Sequence, residues 1–196
     1  MLLIKLKNKK IILGSASPRR QELLKSLGID FEIRVSDLKE KYPKNLKEKE
    51  ISEFLATQKS EHLSKTLKGE DILITADTIV VKGDRVLNKP KDKLEAKEML
   101  EFLSGEEHLV ITSVCLRDQQ NQVVFSSVTK VFFKSLSAAE IDFYVKEYKP
   151  FDKAGAYGIQ EWIGLVGIEK IEGSYFNVVG LPISKLYQNL IQFVAL

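Results

Sequence analysis

Two spacings of apolar residues alternate along this chain, and the switch between them recurs from one end to the other. Short apolar runs predict strands, whereas apolar residues recurring every three or four positions predict helices. Ile11-Ile12-Leu13 predicts a short buried strand. Ser17-Pro18 then opens a helix, with a capping hydroxyl and a proline in the first turn, and Gly28 stops it. Phe31 to Val35 alternates apolar and charged residues, as a half-exposed strand does. A long amphipathic helix is predicted from about Lys47 to Leu67, burying Ile51, Phe54, Leu55 and Leu63.

Ile72-Leu73-Ile74 predicts a second buried strand that ends in Ala76-Asp77-Thr78. Gly83-Asp84 between two apolar triplets marks a two-residue hairpin. Asp92 to Leu103 reads as a helix closed by Gly105. Strands follow at Leu109 to Arg117 and Val123 to Lys134, joined by a polar turn from Asp118 to Asn121. Ser137 and Glu140 form a capping box for the next helix. The last third predicts a strand pair near Ile159 to Ile171 and a helix after Pro182. This alternation indicates a mixed α/β fold. No repeat, low-complexity tract or linker interrupts it, so residues 1–196 are expected to form one domain, with two lobes around a cleft.

Composition narrows the function classes. A 44% hydrophobic, 29% charged chain is that of an ordinary globular protein and not a disordered one. Thirty basic against 27 acidic residues leave a net charge of only +3, which gives no case for a nucleic-acid polymer as partner. No run approaches the ~20 apolar residues of a membrane span. The lysines from Lys5 to Lys10 precede no apolar stretch long enough for a signal peptide and read as a solvated lead-in to the first strand. Cys115 stands alone in an apolar strand, so it is a buried thiol, compatible with a reducing, cytoplasmic setting. His62 and His108 are too far apart for a zinc site built from His and Cys.

Four segments carry candidate chemistry. Gly14 to Arg20 joins a buried strand to a helix N-terminus, where free N–H groups favour anions. Ser15 and Ser17 add hydroxyls, and Arg19 and Arg20 add planar cationic forks. A capped helix with surface arginines is the equally weighted structural alternative. Asp77 and Thr78 close a buried strand, where a carboxylate can hold a divalent cation or take a proton from water, with a turn-forming Asp as the slightly favoured structural alternative when the segment is taken alone. Lys89 precedes Pro90, which stiffens its loop. Asp152 to Gln160 is rich in small residues that permit close backbone approach, and Gln160 offers a donor and an acceptor suited to a base edge. A second glycine-bounded connection runs from Glu172 to Pro182. From chemistry alone these segments point to a phosphate-containing ligand, not to one reaction.

The motifs Ser15 to Arg20, Ala76 to Thr78, Lys89-Pro90, Lys153 to Gln160 and Gly173 to Pro182 occur in an order that closely resembles the Maf family, over nearly the whole chain. The resemblance implies an elongated mixed sheet flanked by helices, related to the inosine triphosphate pyrophosphatases, with a cleft between two lobes. It further implies cleavage of a nucleoside triphosphate between its α and β phosphates, using a divalent cation, magnesium or manganese. Asp77 matches the family's catalytic carboxylate, and Glu40 an acidic residue that supports the metal. Lys39 stands where the family commonly has an acidic residue. Ser15, Arg19, Arg20, Lys59 and Lys89 match phosphate-binding positions. Arg19, Thr78 and Gln160 match the positions associated with choosing dTTP and UTP, with modified pyrimidine nucleotides as further candidates. Glu161-Trp162 departs from the glycine many relatives carry after that glutamine, and Trp162 either stacks on a base or packs at the rim. A homodimer is compatible with the resemblance. The competing readings are a non-catalytic nucleotide-binding regulator of cell division and a Maf pyrophosphatase acting on 7-methyl-GTP.

Overall fold

Strand β1 (Lys10–Leu13) pairs in parallel on both sides, with β2 (Phe31–Ile33) and with β3 (Asp71–Lys82). Parallel strands need crossovers, and two helices supply them here: α2 (Pro18–Lys25) from β1 to β2, and α3 (Lys49–Ser64) from β2 to β3. The computed structural model describes residues 2–38 and 41–195. Glu40 and Lys39 therefore lie outside the described residues.

Before β1, Leu2–Lys5 forms a short helix, α1. Leu2 and Leu6 are buried, so the lysine-rich start is anchored by its leucines and is not merely a solvated lead-in. After β3 come β4 (Arg85–Leu87), α4 (Lys93–Leu103), β5 (Glu107–Arg117), β6 (Gln122–Phe133) and α5 (Ala138–Tyr148). A 3₁₀ turn (Ala154–Ala156) then leads to α6 (Trp162–Gly167), β7 (Ile168–Glu172), α7 (Tyr175–Val179) and α8 (Ile183–Phe193). Among the described residues, seven strands make one sheet in the order β2-β1-β3-β5-β6-β7, with β4 paired to β3.

Two expectations about the strands fail. The predicted end of a strand at Asp77 is the middle of a twelve-residue strand, because the alternation of the pleat continues through the polar pair into Ile79-Val80-Val81. The predicted strand pair at Ile159 to Ile171 is one helix and one strand, α6 then β7. The glycines at 164 and 167 mask the helix in the sequence pattern.

The chain divides into two compact units. The first takes the residues up to Asp77, 112–127 and those from Gly180 on; the second takes 78–111 and 128–179. Each has its own core. In the first, Ile11, Leu13, Ile72, Ile74 and Ala76 pack with α2 and α8. The intervening Ile12 and Leu73 pack on Leu63 of α3 and on Leu67. Odd and even strand positions thus serve different helices, as the two-residue repeat of a strand requires. In the second, α4 and α5 bury Ala96, Leu100, Leu103, Ile141 and Tyr144 with Val110, Val131 and Phe133 of the sheet. Each fully buried aliphatic side chain stabilises its unit by about 1.5–3 kcal/mol. The capping box at Ser137 and Glu140 is present, and Asp92 caps α4 through the Glu95 N–H.

Candidate active site

The register of β3 against α3 decides where Asp77 goes. Leu73, Thr75 and Asp77 share the strand face that meets α3. Leu73 packs near Leu63, and the Thr75 hydroxyl donates to the Ala56 carbonyl at 2.7 Å. Two positions further along the strand, and on the same side of the helix, Lys59 Nζ donates to Asp77 Oδ1 at 2.5 Å. The two side chains are only 14% and 8% exposed, so this charge-assisted pair is shielded from bulk water. Thr78, the next residue, projects from the opposite face of the strand and is half-buried.

The strand-to-helix loop of the first unit is braced by Arg20. Its Nη1 donates to the Ala76 carbonyl at 2.7 Å and to Ser15 Oγ at 3.4 Å, and its Nε donates to the Gly180 carbonyl at 2.9 Å. One guanidinium therefore ties the Ser15 loop, the backbone beside Asp77 and the turn before α8. The expected cap by the Ser17 hydroxyl is not made. Pro18 already removes one orphan donor at the helix start, and the Ser17 N–H donates instead to Ser15 Oγ at 3.2 Å. Arg19 sits half-buried in the first turn of α2. Ser15, Arg20, Lys59 and Asp77 are thus brought together within one unit.

Lys89 and Gln160 lie in the second unit. Lys89 is exposed, and the neighbouring Asn88 carbonyl accepts the Gly155 N–H at 3.3 Å, which ties its loop to the 3₁₀ turn. Gly155 has φ +68, and a Cβ there would meet Val80 at about 2.9 Å, so glycine alone fits. Ala156 is also held in the left-handed region, at φ 59, which the surroundings must impose on a residue with a Cβ. The next residue shows how: Tyr157 hydrogen-bonds to His108 Nε2 at 2.7 Å and meets the Phe133 ring edge-on. Burial lowers the His108 pKa to about 3, so the ring is neutral, and its Nδ1 has no hydrogen-bond partner among the described residues. Burial likewise pushes the Tyr157 phenol up. Lys153, 8% exposed, donates to Asp152 at 2.7 Å and to Glu161 at 3.0 Å. Gln160 is exposed and lines an open cavity of about 320 Å³ with Tyr175, Leu165, Ile168, Ile171 and Lys170. Trp162 packs edge-on against Phe143, with ring centroids 4.9 Å apart.

Sequence reading did not foresee the supporting roles of His108, Tyr144, Lys153 and Glu161. His108 and Tyr144 lie 49 and 17 residues from their partners Tyr157 and Glu161, a separation that no periodicity marks. Cys115 is buried as expected, and burial raises its pKa. Among the described residues, no group of three or more His, Cys, Asp or Glu could hold a metal ion. Asp77 is the one carboxylate of the Lys59 pair that could contribute to a cation site, and a magnesium-type ion commonly takes only one or two carboxylates beside phosphate oxygens and water. No helix among the described residues is long and apolar enough to cross a membrane.

A family model described as "Maf-like protein" matches residues 10–193. The protein named "dTTP/UTP pyrophosphatase" from Christiangramia forsetii is 52% identical over 185 residues, covering 94% of each chain. One of the same name from Flavobacterium johnsoniae is 50% identical over 194 residues, covering 99% of this chain and 100% of its own. Among solved structures, that of the Staphylococcus aureus Ham1 protein superposes with a TM-score of 0.55 at 16% identity, covering 94% of this chain and 100% of its own. At that identity the likeness is one of fold.

Proposed function

The chain belongs to the Maf family, and from that membership we propose that it is a dTTP/UTP pyrophosphatase, releasing the nucleoside monophosphate and pyrophosphate. The relatives carrying that name match it at about half identity over nearly their full length. The observation that supports the chemistry is the shielded Lys59–Asp77 pair, set beside an arginine-braced serine loop at the start of α2. A buried carboxylate beside anion donors suits phosphoryl chemistry better than binding alone, which has no need of a group that activates water.

In this reading water attacks the α phosphorus, the bond from that phosphorus to the bridging oxygen breaks, and pyrophosphate leaves. Asp77 orients the water and takes its proton, or serves instead as the cation's ligand. Lys59, Arg19 and the exposed Lys89 carry positive charge toward the phosphates, where it stabilises charge developing on the leaving group. Ser15 donates from the loop that Arg20 holds in place. A divalent cation of the magnesium or manganese type, held by Asp77 and by Glu40, would supply Lewis-acid neutralisation of the phosphate oxygens. Gln160 pairs with the imide edge of uracil or thymine, which presents one donor between two acceptors, while Arg19 and Thr78 complete the choice of substrate. The protein works as one domain in the cytoplasm.

A pyrophosphate-release assay with UTP, dTTP, 7-methyl-GTP and ITP, each with magnesium or manganese, tests this. Turnover of UTP and dTTP at the highest kcat/KM is expected. Preference for 7-methyl-GTP overturns the base assignment, and no release from any nucleotide overturns the enzyme.

A further inference from the structure

Gly158 to Glu161 form a turn, closed by the Glu161 N–H donating to the Gly158 carbonyl at 3.0 Å. Ile159, second in the turn, is buried, and Gln160, third, is exposed. The turn is held by one carboxylate and its partners. Tyr144 of α5 is fully buried; its hydroxyl oxygen accepts the Gly158 N–H at 3.0 Å and its O–H donates to Glu161 Oε2. Glu161 Oε1 accepts from Lys153 Nζ at 3.0 Å. A Cβ on Gly158 would lie 2.8 Å from the Glu161 carboxyl carbon, so the carboxylate rests directly on the turn backbone. The Glu161 carbonyl also accepts from the Gly164 and Leu165 N–H groups at 2.9 and 3.3 Å, which starts α6.

Such a shielded ion pair is a poor choice for stability alone, because removing both charges from water offsets most of their attraction. What it supplies is direction: the carboxylate has a fixed donor on each oxygen, and one of these relays to the first N–H of the turn. Burial and the adjacent carboxylate push the Tyr144 phenol up, so it remains a donor. The tip residue is thereby held through its turn.

We propose that Glu161 is a positioning residue whose carboxylate, through Lys153 and Tyr144, locks the Gly158–Glu161 turn and so holds Gln160 in the orientation that selects the base. The structural half stands on the turn geometry; the consequence for selectivity rests on the proposed role of Gln160.

The test compares Glu161→Gln, Glu161→Ala, Gln160→Ala and the double Gln160→Ala/Glu161→Ala protein, with Tyr144→Phe as a second route to the same turn. Steady-state kinetics with UTP and dTTP accompany amide hydrogen exchange of Gly158 and Glu161. Glu161→Ala is expected to lower protection of both amides. It should raise KM about 10-fold with kcat within about twofold, and add little to the Gln160→Ala effect. Glu161→Gln, which keeps an acceptor for Tyr144 but loses the ion pair, should fall between Glu161→Ala and the unchanged protein. Unchanged protection in Glu161→Ala and Tyr144→Phe overturns the proposal, as do fully additive KM effects of Gln160→Ala and Glu161→Ala. If the turn loosens while Gln160→Ala leaves KM and base preference unchanged, the lock stands and the base-reading role of Gln160 is what fails.

Discussion

The two sets of candidate residues are held by opposite means. In the first unit, Asp77 and Lys59 stand on a strand and a helix, and their meeting follows from the repeats of those elements. In the second, Lys153 to Glu161 is irregular backbone, with Gly155 and Ala156 both at positive φ, fixed by side-chain hydrogen bonds from α5 and β5. Regular elements make a charged pair reproducible at little cost in special residues. A loop reaches positions that a strand or helix cannot, but each turn of it needs its own restraint. The residues proposed for the chemistry are on the first kind of support, and the group proposed to choose the base is on the second.

The contrast predicts graded responses. Asp77→Asn, which keeps the shape of the first region and removes its charge, should lower kcat by about 10²–10⁴-fold, with the circular dichroism spectrum unchanged. Near-normal turnover would remove Asp77 from the mechanism. Gly155→Ala strikes the second region, forcing a Cβ toward Val80 at positive φ. A loss of about 2–3 kcal/mol in urea unfolding is expected, with KM rising more than kcat falls.

His108 gives that same region a pH dependence. Its folded pKa of about 3 lies below the ordinary histidine value of 6.5. Between those values the unfolded chain binds a proton that the folded chain does not. Its contribution to stability is therefore complete above pH 6.5 and is lost as pH falls toward 3. From pH 6.5 to 5 the loss should be about 1.5 kcal/mol. Urea midpoints of His108→Gln, set against those of the unchanged protein, should lack that component. The smallest effect is expected from Ser137→Ala, which removes the cap of the helix that carries Tyr144. It should cost about 1 kcal/mol of stability and leave kcat within error. A change in KM there would mean that the turn senses the whole helix and not only Tyr144.

Much of the fold was legible. β1, the hairpin at Gly83-Asp84, α4, the α5 capping box and α8 all fall where the spacing and turn residues put them. Asp77 was legible as a candidate but not as a mid-strand residue, since a polar pair within an apolar run looks like a strand end. Arg20 was expected among phosphate ligands, and the contacts that brace it are to Ala76 and Gly180, a role visible only once residues 160 positions apart meet. The α6 helix was hidden because two of its six residues are glycine.

By itself the sequence determined the mixed α/β class, the family motifs and the residue types needed for phosphate chemistry, because periodicity and turn chemistry are local and act within a few residues. Only the tertiary structure decided that Lys59 rests on Asp77, that Arg20 is a brace and that Glu161 underlies Gln160. Those facts depend on strand register, on helix rotation and on which side chains share a buried space. No local spacing encodes them, since each pairs groups whose separation along the chain is unrelated to any repeat or whose meeting depends on a third element.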